Sequence, residues 1–174
     1  MRCLSWRCPS WMVLSLCLLG STALPGCRYH TQELYPQQYR TVAVPLFENR
    51  SFYRGVEYDL AEALVKEIEL RTPYKVTAPG AADTLLQGAI VRVEQRMRSR
   101  HRPGGVPESM EVAVTVDFEW KDLRSGQILR SRQGFTAVGT YIPTAPVSQP
   151  FEVAQHMAVT QLAQEMVSTL QADW

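Results

Sequence analysis

The sequence predicts an α+β fold: a two-layer sandwich of two helices packed on one face of a mostly antiparallel four- to five-stranded sheet, in the order β-α-β-β-β-β-α. Three observations carry this. Apolar residues recur every fourth position over Val56–Arg71, and again from Pro150 to about Gln171, which marks two helices with one apolar stripe each. Between them Met110, Val112, Val114, Val116, Phe118 and Trp120 alternate without a break against Glu111, Ala113, Thr115, Asp117, Glu119 and Lys121, the pattern of a half-buried antiparallel strand. Turns rich in Gly and Pro separate the other short apolar runs. Packing both helices on one sheet face buries both stripes economically.

Taken in order, residues 1–26 follow the pattern of an export signal, with Arg2 and Arg7 before an apolar run from Trp11 to Gly20. That run is too short to cross a bilayer. All four cysteines, Cys3, Cys8, Cys17 and Cys27, lie at or before position 27. The body of the chain therefore has neither a disulfide framework nor a cysteine metal site. Leu24-Pro25-Gly26-Cys27 resembles a bacterial lipobox, which implies cleavage before Cys27 and lipidation of that residue. Leu14-Ser15-Leu16-Cys17 competes poorly, because bulky Leu16 stands where a small residue is wanted. Several acyl chains acting together attach a protein firmly, each buried methylene contributing about 0.8 kcal/mol. In lipoproteins of this kind, Arg28 in place of Asp after the cysteine implies passage to the outer membrane. The expected location is periplasm-facing and lipid-anchored.

The chain has 18 basic and 17 acidic residues; removing residues 1–26 subtracts Arg2 and Arg7 and no acid, leaving 16 against 17. No nucleic-acid partner is indicated by that balance. Residues 27–40 read as a lipidated leash, polar and aromatic with Pro36 and no sustained period, and 41–174 as a single domain. Fully extended, the leash reaches at most about 40 Å, which holds the domain against its membrane.

Thr41–Phe47 is a short β-branched run and the first strand, with Pro45 placed at an edge or near its end because it donates no ladder hydrogen bond. Glu48–Gly55 is a loop carrying Phe52 and Tyr53. Asn49-Arg50-Ser51 within it fits a glycosylation acceptor, a reading that the bacterial lipobox upstream sets aside. The helix Val56–Arg71 carries Val56, Leu60, Leu64 and Ile68 on one face, and Thr72-Pro73 ends it. Its acids Glu57, Asp59, Glu62, Glu67 and Glu69 read as a solvated face interleaved with Lys and Arg. Tyr74–Thr77 is a short strand. Thr84 to about Met97 is another, with Ala89, Val91, Val93, Gln95 and Met97 on one face and Arg92, Glu94, Arg96 and Arg98 on the other. Gly88 marks a bulge or a close approach of helix to sheet. After the alternating strand, Asp122–Gly126 forms a hairpin loop with Gly126 left-handed, and Gln127 to about Thr136 returns to complete a meander. Ala137–Gln149 reads as a loop, and the second helix is capped by Ser148 or Gln149 with Pro150 in its first turn.

No catalytic motif occurs, and His30, His101 and His156 are scattered over a leash, a loop and a helix. Neither a catalytic residue, a metal site nor a cofactor beyond the lipid on Cys27 is predicted, and the chain reads as a binding or assembly protein rather than an enzyme. One charge concentration stands out: Arg92, Arg96, Arg98, Arg100 and Arg102, with His101, opposed locally by Glu94 alone. Guanidinium forks match phosphate oxygens bidentately, so a phosphorylated lipid headgroup is a sensible ligand. The bland alternative is a solvated strand face running into a loop.

Cys27-Arg28-Tyr29-His30, then Tyr39–Ser51, an amphipathic helix, Ala82–Gly88, Val116–Leu123 with Ser125-Gly126, and a closing helix together resemble the lipopolysaccharide-assembly lipoproteins of the outer-membrane translocon, the LptE family. That resemblance implies a lipid-anchored sandwich that plugs a large outer-membrane β-barrel of the LptD type, helps it fold and assists lipopolysaccharide insertion into the outer leaflet. Family contacts to lipopolysaccharide are basic, and the five arginines are candidates from charge and position. Val42–Asn49 also resembles the opening strand of lipoproteins that activate peptidoglycan synthases or form secretion channels, although a wall-crossing activator needs a longer linker.

Overall fold

A computed structural model describes residues 34–100, 107–143 and 150–171. Its elements are β1 Thr41–Ala43, β2 Glu48–Asn49, α1 Val56–Arg71, β3 Lys75–Val76, β4 Thr84–Arg100, β5 Pro107–Asp122, β6 Ile128–Tyr141 and α2 Phe151–Ser168. The expected order holds, with two-residue β2 added after β1. The sheet runs β3-β1-β4-β5-β6, and β2 also pairs with β4. The long β4-β5-β6 meander is antiparallel, whereas β1 pairs parallel with β3 and β4, and β2 parallel with β4. Parallel pairing follows from α1, which carries the chain back to the starting end before β3 begins.

Both helices pack on one face through the predicted stripes. Leu60, Leu64 and Ile68 of α1, and Ala158, Leu162, Ala163 and Met166 of α2, are fully buried with Leu86, Ile90, Val112, Val114 and Val116 of the sheet. Each large aliphatic side chain buried this way contributes about 1.5–3 kcal/mol. Three acids of α1 have structural partners instead of lying on a wholly solvated face. Glu67 is buried, accepts from Gln164 and pairs with Arg71; Asp59 accepts from Gln155; Glu57 accepts from Asn49 and the Gly55 N–H.

Four details differ from the sequence expectation. The leash docks from Leu34 onward: Tyr35 and Tyr39 are buried in the core, edge-on to Tyr74 and Trp120 respectively. β6 continues to Tyr141, because Ala137 and Gly139 are small residues under α2, a size requirement that interrupts the apolar pattern. The close approach of helix to sheet lies there and not at Gly88: a Cβ on Gly139 would overlap the Ala154 carbonyl and lie 3.0 Å from the Ala158 nitrogen. Gly88 instead makes room for the neighbouring strand and a ring: a Cβ there would overlap the Asp117 carbonyl of β5 and lie 2.7 Å from the Phe47 ring. Pro150 is the N-cap of α2, one position before its expected place, without a side-chain cap; Ser148 and Gln149 lie outside the described residues.

A carboxylate ties β1 to the β4 end of the sheet. Asp83 accepts the N–H groups of Arg40 at 3.0 Å and Thr41 at 3.1 Å, and pairs with Arg124, while its own N–H donates to the Thr41 hydroxyl at 2.8 Å. The Arg40 N–H foremost, with the Thr41 groups, holds the Asp83 carboxyl below its usual range.

Two outcomes follow. Gly139→Ala should destabilise the domain in urea by about 2–3 kcal/mol or more, as overpacking against helix backbone does, whereas Gly80→Ala, which meets nothing within 4 Å, should stay within about 0.5 kcal/mol. A depressed folded-state pKa stabilises above the unfolded value, and the gain disappears as pH falls through the folded value. For Asp83, whose ordinary value is 3.8, the urea midpoint should therefore drop as pH falls from about 4.5 through the acid side of that value. Asp83→Asn should flatten that part of the profile.

Candidate functional site

The candidate arginines stand on the upper half of β4, beyond the part that β1 and β2 cover. A bulge at Val91, seen where the register passes from Ile90↔Val116 to Arg92↔Thr115, reverses which face successive side chains take. Ile90 and Val93 consequently share the helix side, and Ala89 and Val91 do not continue the face of Val93 as the sequence suggested. Arg92, Glu94 and Arg96 form a row on the sheet face away from the helices, opposite Thr115, Ala113 and Glu111 of β5.

Glu94 is shared by two guanidinium groups, Arg92 at 3.1 Å and Arg96 in a shorter contact. The Arg96 hydrogen bond foremost holds its carboxyl below the usual range. Both arginine side chains remain more than 60% exposed, so their outer N–H groups face solvent. A second register shift, between Met97 and Ser99, puts Arg98 in a bulge from which it donates to the Thr140 hydroxyl at 3.2 Å. Arg100 closes β4 opposite Pro107 in the backbone ladder. Arg102, His101, His30 and Cys27 lie outside the described residues. The structure thus brings Arg92, Arg96 and Arg98 onto one face, and β5 adds Glu111 to the Glu94 visible in the local sequence.

Two further arginines reach the same end from another element. The Arg50 N–H donates to the Ile90 carbonyl at 2.9 Å, which sets the loop Arg50–Gly55 beside the start of the basic row. Asn49 builds that loop. Its Nδ2 donates to the Tyr53 carbonyl at 2.7 Å and to Glu57 at 2.6 Å, while its Oδ1 accepts from the Ser51 N–H at 2.9 Å and hydroxyl at 2.7 Å. Tyr53 stacks on Phe151 with ring centroids 5.0 Å apart, and Phe151 stands edge-on to Tyr141. Fixed at both ends, the loop presents Arg50, Arg54 and a fully exposed Phe52. The pattern Asn49-Arg50-Ser51 fits a glycan acceptor, but the Asn49 side chain is the organiser of the loop, a role that spacing alone does not announce.

Below the row, on the same sheet face, lies an open depression of about 460 Å³ lined by Leu46, Glu48, Arg50, Gln87, Asp117, Glu119 and Gln133 among others. Asp117 accepts the N–H of Gly134, whose φ of 64° forms the bulge in β6, and Glu119 accepts from Gln87. Glu48, Asp117 and Glu119 share this depression with Arg50 and Arg132, and Glu48 pairs with Arg50 at 2.7 Å, so its charge is mixed, whereas the arginine row stands above it. Among the described residues no helix is long and apolar enough to cross a membrane, and no cluster of metal-binding side chains occurs.

A family model described as LptE, lipopolysaccharide-assembly, matches residues 39–170. Among solved structures, the chain is similar to a PelC dodecamer from Paraburkholderia phytofirmans, with a TM-score of 0.54 and 20% identity over 79% of this chain and 93% of that one. It is also similar to lipoprotein B from Nitrosomonas europaea, with a TM-score of 0.51 and 16% identity over 79% and 87%. A hypothetical protein from Chlamydia trachomatis shares the fold at a TM-score of 0.50 and 8% identity over 76% and 95%. These likenesses establish a shared fold. No curated protein sequence matches.

Removing the organising side chain should separate loop order from global stability. Asn49→Ala leaves the Tyr53 carbonyl without that donor and costs about 1–3 kcal/mol. Hydrogen exchange should show amide protection falling around the loop first, with the core of β5 unaffected at low denaturant.

Proposed function

Because the chain belongs to the LptE lipopolysaccharide-assembly family, we propose that it is a lipid-anchored, periplasm-facing outer-membrane lipoprotein that partners a large β-barrel of the LptD type, plugging it, helping it fold and assisting lipopolysaccharide insertion. The observation that carries this reading is the family match over 132 residues, 39–170. Under it, residues 1–26 are the signal peptide, Cys27 the lipidated residue and Arg92, Arg96, Arg98, Arg100 and Arg102 the candidates for the phosphates of lipopolysaccharide.

The chemistry supports that assignment of the arginines. Glu94 orients Arg92 and Arg96 side by side from one carboxylate, which leaves each fork with outward N–H groups for a phosphate. In this reading the role is binding and positioning.

A second reading is assembly into a ring, as part of a secretion channel, and it draws on the fold shared with the PelC dodecamer. Mass measurement of the detergent-solubilised, lipidated chain separates the two. The translocon reading expects a stable complex with one identified β-barrel; a homo-oligomer of many copies and no barrel supports the ring, and recovery of a peptidoglycan synthase without a barrel supports the activator alternative.

For the basic row, Arg96→Ala and Arg98→Ala should each weaken binding to purified lipopolysaccharide by about tenfold, the loss expected when a charge-assisted hydrogen bond worth about 1.5–3 kcal/mol disappears. Barrel association should be unchanged. Equal lipopolysaccharide affinity in the variants returns the row to an ordinary solvated surface.

A further inference from the structure

We propose that Glu94 is the specificity-determining residue of the basic row: its carboxylate divides the row into two anion positions, which fits it to a headgroup carrying two separate phosphates. The inference rests on the assignment of the arginines to lipopolysaccharide phosphates and deepens it by naming the phosphate pattern that they distinguish.

Glu94 acts as a wedge. Arg92 and Arg96 stand four residues apart on one strand, about 13 Å along the backbone, yet both side chains reach the same carboxylate. Arg92 Nη1 donates to Oε1 at 3.1 Å, and Arg96 Nη2 donates to Oε2. The two guanidinium groups therefore lean toward each other, and Glu94 fills the gap between them. Opposite Glu94 stands Ala113, which brings no charge to that gap, while Thr115 stands opposite Arg92 and Glu111 opposite Arg96. The bonds from the arginines, that of Arg96 foremost, hold the carboxyl below its usual range, so it is charged at neutral pH.

A phosphate bridging Arg92 and Arg96 would meet this carboxylate, and like charges at close range oppose it. What remains open is the outer side of each guanidinium. On one side Arg92 faces Thr115, whose hydroxyl lies 2.8 Å from that of Thr136. On the other, Arg96 is followed by Arg98, which donates to Thr140 at 3.2 Å. A guanidinium has five N–H donors, and both members of the pair are more than 60% exposed, so the donors that Glu94 does not take face solvent. A ligand with a single phosphate reaches one side at a time. A headgroup with two phosphates reaches both, and because the triad is already assembled, little side-chain freedom is lost when the second contact forms.

The test uses the full chain, purified in detergent, immobilised and titrated in the same micelles with two forms of lipid A, the glycolipid portion of lipopolysaccharide. One form is diphosphoryl and the other monophosphoryl. The parent should bind the diphosphoryl form at least about tenfold tighter, the difference that one charge-assisted contact makes. Glu94→Gln removes the dividing charge; monophosphoryl binding should strengthen and the preference fall to within about threefold, with circular dichroism and Tm as in the parent. Glu94→Asp, which keeps the charge, should keep the preference. A merely structural Glu94 would shift both affinities together. Equal binding of the two lipids by the parent, or an undiminished preference in Glu94→Gln, overturns the proposal. If the parent recovers the barrel but binds neither lipid, the arginine assignment falls with the proposal while the barrel reading stands. Discrimination as stated without recovery of any barrel leaves the proposal standing and removes the plug.

Discussion

The backbone ladder of β4 is the constraint on which the rest of this protein depends. Its 17 residues pair along one side with β5 for nearly their whole length. On the other side β1 and β2 follow it only as far as Asn49 beside Ile90. Below that point the strand is central, flanked on both sides, and its side chains Leu86 and Ile90 are fully buried. Above it the strand carries the arginine row, and the register slips three times, at Val91, at Arg98 and between Ser99 and Arg100. Bulges and charges are the usual protection of a strand against edge-to-edge pairing. The same two devices turn Arg92, Arg96 and Arg98 toward the face opposite the helices. One strand is thus core at one end and an exposed basic face at the other.

That division gives the molecule two chemically different ends. At the lower end the N-terminal segment is tied down by Tyr35, Tyr39 and the Asp83 carboxylate, which accepts from two consecutive backbone N–H groups at the start of β1. At the upper end stand the loop built by Asn49, the exposed ring of Phe52 and the basic row. α1 and α2 run between these ends on a single face, α2 pressed onto β6 so closely that only Gly fits at position 139. Binding groups placed on a rigid sheet and a pinned loop keep their spacing without a ligand present, which is what a positioning protein needs.

Much of this was legible in the residues, and the reasons for the exceptions are physical. α1 was read with its observed bounds because its stripe Val56, Leu60, Leu64 and Ile68 is unbroken and Thr72-Pro73 stops it. β5 was equally plain from strict alternation. The last part of β6 is not legible as strand because Ala137 and Gly139 are chosen for size beneath a helix, a requirement of packing that periodicity does not record. The bulge at Val91 was invisible for a related reason: one inserted residue changes the face of everything after it, and nothing in the alternation of Val and Arg marks the place. The arginine cluster was found from charge density. Its tertiary opponent Glu111, its reinforcement by Arg50 and Arg54, and the organising role of Asn49 depend on strand register and loop closure, which link residues tens of positions apart.

Under the proposed function, the N-terminal segment that follows the anchor docks at the lower end of the sheet and the basic row that binds stands at the upper end. The sequence contains no cysteine after Cys27, so a single spin label can be placed at will, at Leu123 in the lower hairpin or at Arg54 in the upper loop. With the lipidated chain in bilayer discs, relaxation by paramagnetic probes in the membrane and in bulk water reports the depth of each label. The account predicts that the label at position 123 lies within reach of the headgroups and the one at position 54 in bulk water. Equal depth for the two labels, or position 54 nearer the bilayer, would contradict it.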